Sequence, residues 1–106
     1  APHYLEGNVA EPIARLLANE QFLTEVLYPI GFGGRFEYPY AELRPTIREL
    51  YRRAGGRRLV WGSDMPNVAR HCTYRQSLDY LARHNDFILA SDMARILGGN
   101  IEELFA

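Results

Sequence analysis

Lysine is absent from the 106 residues and cysteine occurs once. The 13 acidic side chains nearly cancel the 12 basic ones, all arginine, leaving a net charge of −1. That balance excludes the strong field of one sign that marks binding to nucleic acid or to an anionic membrane. The single Cys72 excludes an internal disulfide and a cysteine-built zinc site. A cytoplasmic protein, or at least one that does not depend on disulfides, is therefore expected. No apolar run approaches the roughly 18 residues of a membrane span, and no basic segment followed by an apolar stretch opens the chain. Internal repeats and low-complexity segments are also missing. The first residue is Ala1 rather than Met, from which we expect that something upstream has been removed. What remains is 47% hydrophobic and 12% aromatic, enough for one domain with a modest core and too apolar for general disorder.

Hydrophobic spacing alternates helix and strand. Residues 9–20 put Ile13, Leu16 and Leu17 on one helical face, with Pro12 in a first-turn position. Residues 21–28 form a short β-rich apolar run ended by Pro29, and the Gly-, Pro- and aromatic-rich stretch after it reads as a loop. A helix follows from about Pro39 or Pro45 to Ala54, striped by Leu43, Ile47, Leu50 and Tyr51, with Gly55 where a C-terminal cap belongs. Residues 58–62 are a second strand and 63–72 a loop. Thr73 and Gln76 fit a capping box opening a helix with Tyr74, Leu78 and Leu81 on one face. Ser91 is placed to cap another helix, carrying Met93, Ile96 and Leu97 and stopped by Gly98 and Gly99. Asn100 and Glu103 fit a last capping box before Leu104 and Phe105.

Two strands joined by a loop and a helix make a parallel βαβ unit. Parallel strands are normally covered on both faces, which two strands and about four helices cannot achieve alone. The segment therefore reads as part of a larger α/β architecture.

The chemistry concentrates in Arg58–Pro66, RLVWGSDMP. Strand alternation sends Leu59, Trp61 and Ser63 one way and Val60, Gly62 and Asp64 the other. Leu59 and Trp61 suit a helix-covered face, Val60 and Gly62 a crowded interior. Asp64 then faces inward where the strand ends, at the mouth where parallel α/β folds gather catalytic groups. A carboxylate there can bind a divalent cation or accept a proton from a metal-bound water. The same Ser-Asp before Met-Pro is also ordinary turn chemistry.

RRLVWGSDMP, residues 57–66, resembles the last barrel strand of the amidohydrolase-related (amidohydrolase 2) branch of the amidohydrolase superfamily. ILGGNIEELF, residues 96–105, resembles the C-terminal signature of the same branch, in the same order and spacing. YPYAELRPTIRELY is similar to the helix before that strand and FLTEVLYPI to the strand before the helix. The resemblance implies an α/β fold, the C-terminal part of a (β/α)8 TIM barrel, roughly strands 7 and 8 with their helices. Residues 1–106 would then be an incomplete barrel segment. It also implies a mononuclear or binuclear metal site, often zinc or manganese, with Asp64 as metal ligand and base. Family members include lactonases, other hydrolases, and non-oxidative decarboxylases such as those acting on aminocarboxymuconate semialdehyde.

The departure from the family is the missing ligands. Its metal site needs a His-x-His pair and further histidines, whereas this chain has only His3, His71 and His84. His3 matches no family ligand and reads as part of a disordered terminus. His71 lies in the loop after the second strand, either touching substrate or as an ordinary loop residue. His84, late in a helix, suits the helix dipole at the surface. Arg35, in a Gly31/Gly33/Gly34 loop after the first strand, can meet a substrate carboxylate or be merely solvated. Arg70 in the Asp64 loop has the same two readings. Tyr28, ending the first strand, either lines the pocket or packs in the core. Glu25, inside an apolar strand, either faces the interior or marks solvent exposure. Cys72 directly follows His71, and sequence neighbours rarely face each other as a nucleophilic pair.

The function expected from this resemblance is metal-dependent hydrolysis of a small carboxylated or lactone substrate, with the isolated segment inactive. The alternatives are a non-oxidative decarboxylase of the same fold and a non-catalytic α/β interaction module. No nucleic acid or membrane partner is expected. A homo-oligomer that pairs exposed strand edges is a further possibility.

Overall fold

The structure, a computed structural model, describes residues 11–26 and 37–106, with the backbone alone at Asn67. The first helix, α1, is Glu11–Leu17. Leu17 is buried, but Ile13 and Leu16 are 36% and 51% exposed, so only part of the expected apolar face is covered among the described residues. Strand β1, Thr24–Val26, runs parallel to β2, Leu59–Trp61, in the register Thr24–Leu59, Glu25–Val60 and Val26–Trp61. The ladder continues past both ends, Thr24 N–H donating to Arg58 O at 2.8 Å and Gly62 N–H to Val26 O at 3.1 Å. The βαβ unit expected from the sequence is therefore present.

The connection between the strands carries a 3₁₀ turn, Ala41–Leu43, running into helix α2, Arg44–Ala54. Pro45 sits in the first turn of α2, where its missing N–H has no helical partner to lose. Gly55 ends the helix at φ 74°, a left-handed conformation that a Cβ would strain, with its N–H on Tyr51 O at 2.8 Å. The buried face is Thr46, Ile47, Leu50 and Ala54.

After β2 a 3₁₀ turn, Asn67–Arg70, leads to α3, Tyr74–His84. The capping box forms as expected: Thr73 Oγ1 accepts from Gln76 N–H and Gln76 Oε1 from Thr73 N–H, both at 3.0 Å. The buried face of α3 is Ser77, Tyr80 and Leu81. Tyr74 is instead exposed and edge-on to Trp61, with ring centroids 5.8 Å apart.

The last segment departs most from its sequence. Helix α4, Ala90–Ala94, is not capped by Ser91. Tyr51, reaching from α2, accepts from Leu89 N–H at 3.3 Å and donates to the Asp92 carboxylate. Gly98 and Gly99 do not stop the helix. Arg95–Gly99 forms a π turn, with Asn100 N–H on Arg95 O, and continues into α5, Asn100–Leu104. Asn100 is no N-cap: its side chain is 5% exposed and donates to Gly56 O and Leu59 O, each at 2.7 Å. Glu103 pairs with Arg95 Nη1 at 2.9 Å.

Leu17, Val26, Leu43, Ile47, Leu50, Leu59, Tyr80, Leu81, Ile88 and Ile96 form one core, with Trp61 packed against it. The helices thus cover the Val26, Leu59 and Trp61 face of the strand pair, as alternation along β2 required. Glu25 and Val60 point to the opposite face. Among the described residues no helix is long and apolar enough to cross a membrane.

Candidate active site

Strand β2 delivers its last ladder bond at Gly62 and the chain turns immediately. Ser63 Oγ accepts Met65 N–H at 3.3 Å, a serine turn. Asp64 adopts φ 55°, a left-handed conformation that Asp tolerates better than most residues. Its carbonyl accepts Val68 N–H at 3.1 Å, and Val68 O in turn accepts His71 N–H at 2.9 Å and Cys72 N–H at 3.0 Å. Val68 is fully buried. The loop from Ser63 to Cys72 is therefore wound on its own backbone bonds and anchored by one apolar side chain, which leaves Asp64 exposed at the carboxyl end of β2.

A second carboxylate stands on the strand pair itself, on the face away from the helices. Glu25 faces Val60 across the ladder, and its side chain leans over Gly62. A Cβ at Gly62 would overlap the Glu25 carboxylate, so the glycine supplies the room this acid occupies. Glu25 is exposed and takes part in no ion pair among the described residues. Of the two sequence readings of this residue, an interior position paired with an Arg or solvent exposure, the described residues show the second, on the face opposite the helices. The alternation of LVWG against TEV held that signal, but only the in-register pairing turns it into a position.

Arg70 and His71 are both exposed in the Asp64 loop. Tyr28 and Arg35 lie outside the described residues, as do His3 and the glycines at 31, 33 and 34. His84 is half-buried rather than free at the surface. Its Nε2 meets the Tyr38 hydroxyl at 3.3 Å, and the two rings lie edge to face at 5.5 Å. No group of three or more His, Cys, Asp or Glu among the described residues could hold a metal ion.

The most perturbed ionisable groups near the mouth belong to a cluster that sequence reasoning missed. Burial, then a hydrogen bond to Cys72, pushes the Tyr40 phenol up to about 12. Burial raises the Cys72 thiol and, more strongly, the Tyr80 phenol. The rings of Tyr40 and Tyr80 meet edge to face at 5.6 Å. Nothing in YPY singles out Tyr40, because its partners, Cys72 and Tyr80, are more than thirty residues away.

At the opposite end of the strands, where β2 begins, an open cleft is bordered by Gly56, Arg57, Arg58, Asn100 and Glu103. Arg58 there is fully engaged, donating to Leu17 O, to Asn19 O at 2.9 Å and to Arg53 O at 3.2 Å. It clasps the turn after α1 to the end of α2, which is structural work at the end of a parallel sheet remote from chemistry.

Compared with known proteins, residues 11–106 match a family model described as Amidohydrolase. No curated protein and no solved structure matches the chain.

Proposed function

Because this chain belongs to the amidohydrolase family, whose members are hydrolase-like enzymes built on a TIM barrel, we propose that it is the C-terminal segment of such a barrel and that Asp64 is its reacting carboxylate. The observation that carries the reading is the place of Asp64: exposed, two residues past the last ladder bond of β2, at the end of a parallel strand where such enzymes keep their chemistry.

The family typically uses a divalent metal. Three or more protein ligands are needed for zinc or manganese, and no group of three or more His, Cys, Asp or Glu among the described residues is placed to hold one. They do not make a metal site by themselves, so the role we derive for Asp64 is that of a base. Its carboxylate takes the proton of the water that attacks a carbonyl. The tetrahedral product then collapses by expelling the alkoxide of a lactone or the amine of an amide, which carries a proton away. Arg70, in the same loop, is placed to meet a carboxylate on the substrate.

The test compares the 106-residue chain with the product of the complete reading frame that encodes it. The complete product is expected to hydrolyse members of a lactone and amide panel. Asp64→Asn in it should lower kcat by about 10²–10⁴-fold, the usual share of a positioned base. The chain alone should show no turnover. Full activity in Asp64→Asn, or chelator-sensitive turnover by the 106 residues alone, would overturn the proposal. Release of carbon dioxide without ring opening or amide cleavage would replace hydrolysis by decarboxylation.

A further inference from the structure

Glu25 has no role in the chemistry above, yet it is the one acidic residue in β1 or β2. It stands in the middle of β1, on the face away from the helices, with Val60 as its ladder partner. Its side chain does not stay level with that partner. A Cβ at Gly62 would overlap the carboxylate and come within 3.1 Å of Glu25 Cγ, so the acid rests in the space that the glycine leaves. Gly62 lies two residues beyond Val60, a step of about 6–7 Å along a strand. Glu25 therefore leans toward the carboxyl end of β2, and Asp64 follows two residues after Gly62.

The face away from the helices becomes the interior when a barrel of parallel strands closes. A carboxylate only accepts hydrogen bonds, and enclosed there it needs donors or a positive charge to replace its lost water. The described residues set no cation against it. Their ion pairs all lie on the helices or the turns beside them, and none reaches Glu25. We infer that Glu25 is a specificity-determining residue, and that the substrate it selects carries a positively charged nitrogen, held by this carboxylate deeper in the barrel than Asp64. The inference rests on the reading of Asp64 as the reacting group of such a barrel.

The product of the complete reading frame tests it, given lactones and amides in matched pairs with and without an alkylammonium arm. The ratio of kcat/KM within a pair should favour the ammonium member by about 10–100-fold, the contribution of one charge-assisted hydrogen bond. Glu25→Gln should remove that preference, chiefly through KM. Gly62→Ala, which keeps the acid but fills its space, should weaken it, and should change the ratio no further in a Glu25→Gln background. Binding of n-butylammonium against 1-butanol, followed by NMR titration, should show the same preference and the same loss without any turnover. Equal handling of charged and neutral members by the parent protein, or a preference that survives Glu25→Gln, overturns the inference. So does loss of a bound divalent metal from Glu25→Gln, which assigns the carboxylate to the ion instead. Full activity in Asp64→Asn would refute Asp64 as the base, whereas the butylammonium titration reports on Glu25 alone.

Discussion

Removing the Asn100 carboxamide should be the most damaging single polar substitution among the described residues. Its Nδ2 serves two carbonyls, Gly56 O and Leu59 O, each at 2.7 Å and from a side chain that is 5% exposed. Leu59 O has no partner in the ladder: Arg58 O already takes Thr24 N–H, so the next carbonyl points to the other edge of β2. Asn100→Ala thus orphans two acceptors at the foot of the strand. At roughly 1–3 kcal/mol for each buried group left unsatisfied, less whatever water recovers, the loss is about 2–4 kcal/mol. A domain of this size has only about 5–15 kcal/mol in all. The thermal midpoint should fall by roughly 10–25 °C, given about 4–8 °C per kcal/mol near 100 residues. Asn100→Asp should be worse still, because it keeps the shape but sets a carboxylate against two carbonyl oxygens. Urea titration and calorimetry of both variants decide the matter. A loss below about 0.5 kcal/mol for Asn100→Ala, or an aspartate variant more stable than the alanine one, would refute the reasoning.

Three further outcomes are expected. Gly62→Ala should cost about 1 kcal/mol through the crowded Glu25 carboxylate, and clearly less in a Glu25→Ala background, where all three of the atoms nearest the added methyl are gone; an equal cost in both backgrounds, read from urea midpoints, contradicts the geometry. Arg52 and Arg53 grip the Glu49 carboxylate, at 2.6 Å from each, and hold it down at about 2. A carboxyl lowered in the folded state stabilises above its unfolded value of 4.5 and loses that contribution as pH falls toward 2, so Glu49→Gln should flatten the stability profile over that window and, from pH 5 to 7, lower it without changing its slope. Thr73→Ala, which breaks the capping box of α3, should lower stability by about 1 kcal/mol on thermal melting, with no effect expected for the exposed neighbour Arg75→Ala beyond a few tenths.

What could be read from the sequence was what the chain decides locally. The capping box at Thr73 and Gln76 spans three residues, and both its bonds are set by backbone geometry once the helix starts. Alternation in LVW sorted Leu59 and Trp61 toward the helices, and Trp61 Nε1 indeed donates to Ser77 O on α3 at 3.0 Å. Where a distant partner competes, local signals mislead. Asn100 and Glu103 have capping-box spacing, but two strand-end carbonyls more than forty residues back take the asparagine and Arg95 takes the glutamate. Ser91 has a cap's composition, but Tyr51 already holds that helix start. Gly98 and Gly99 look like a stop, yet the helix runs through them in a π turn, and Ile96 and Asn100 on either side are both buried. At the mouth, Asp64 stood out because it ends a strand. The alliance of Tyr40 with Cys72 could not be seen, since no periodicity links them.

The left-handed backbone at Asp64 also governs how its side chain can be interrogated. Glycine, asparagine and aspartate share easy access to that conformation, whereas alanine and glutamate pay a toll of roughly 1 kcal/mol simply for sitting there. An alanine scan across the loop would therefore mix a distorted turn with a missing charge and exaggerate the importance of the acid. Replacement by asparagine is the one exchange that removes the charge while leaving both the peptide geometry and the outline of the residue in place.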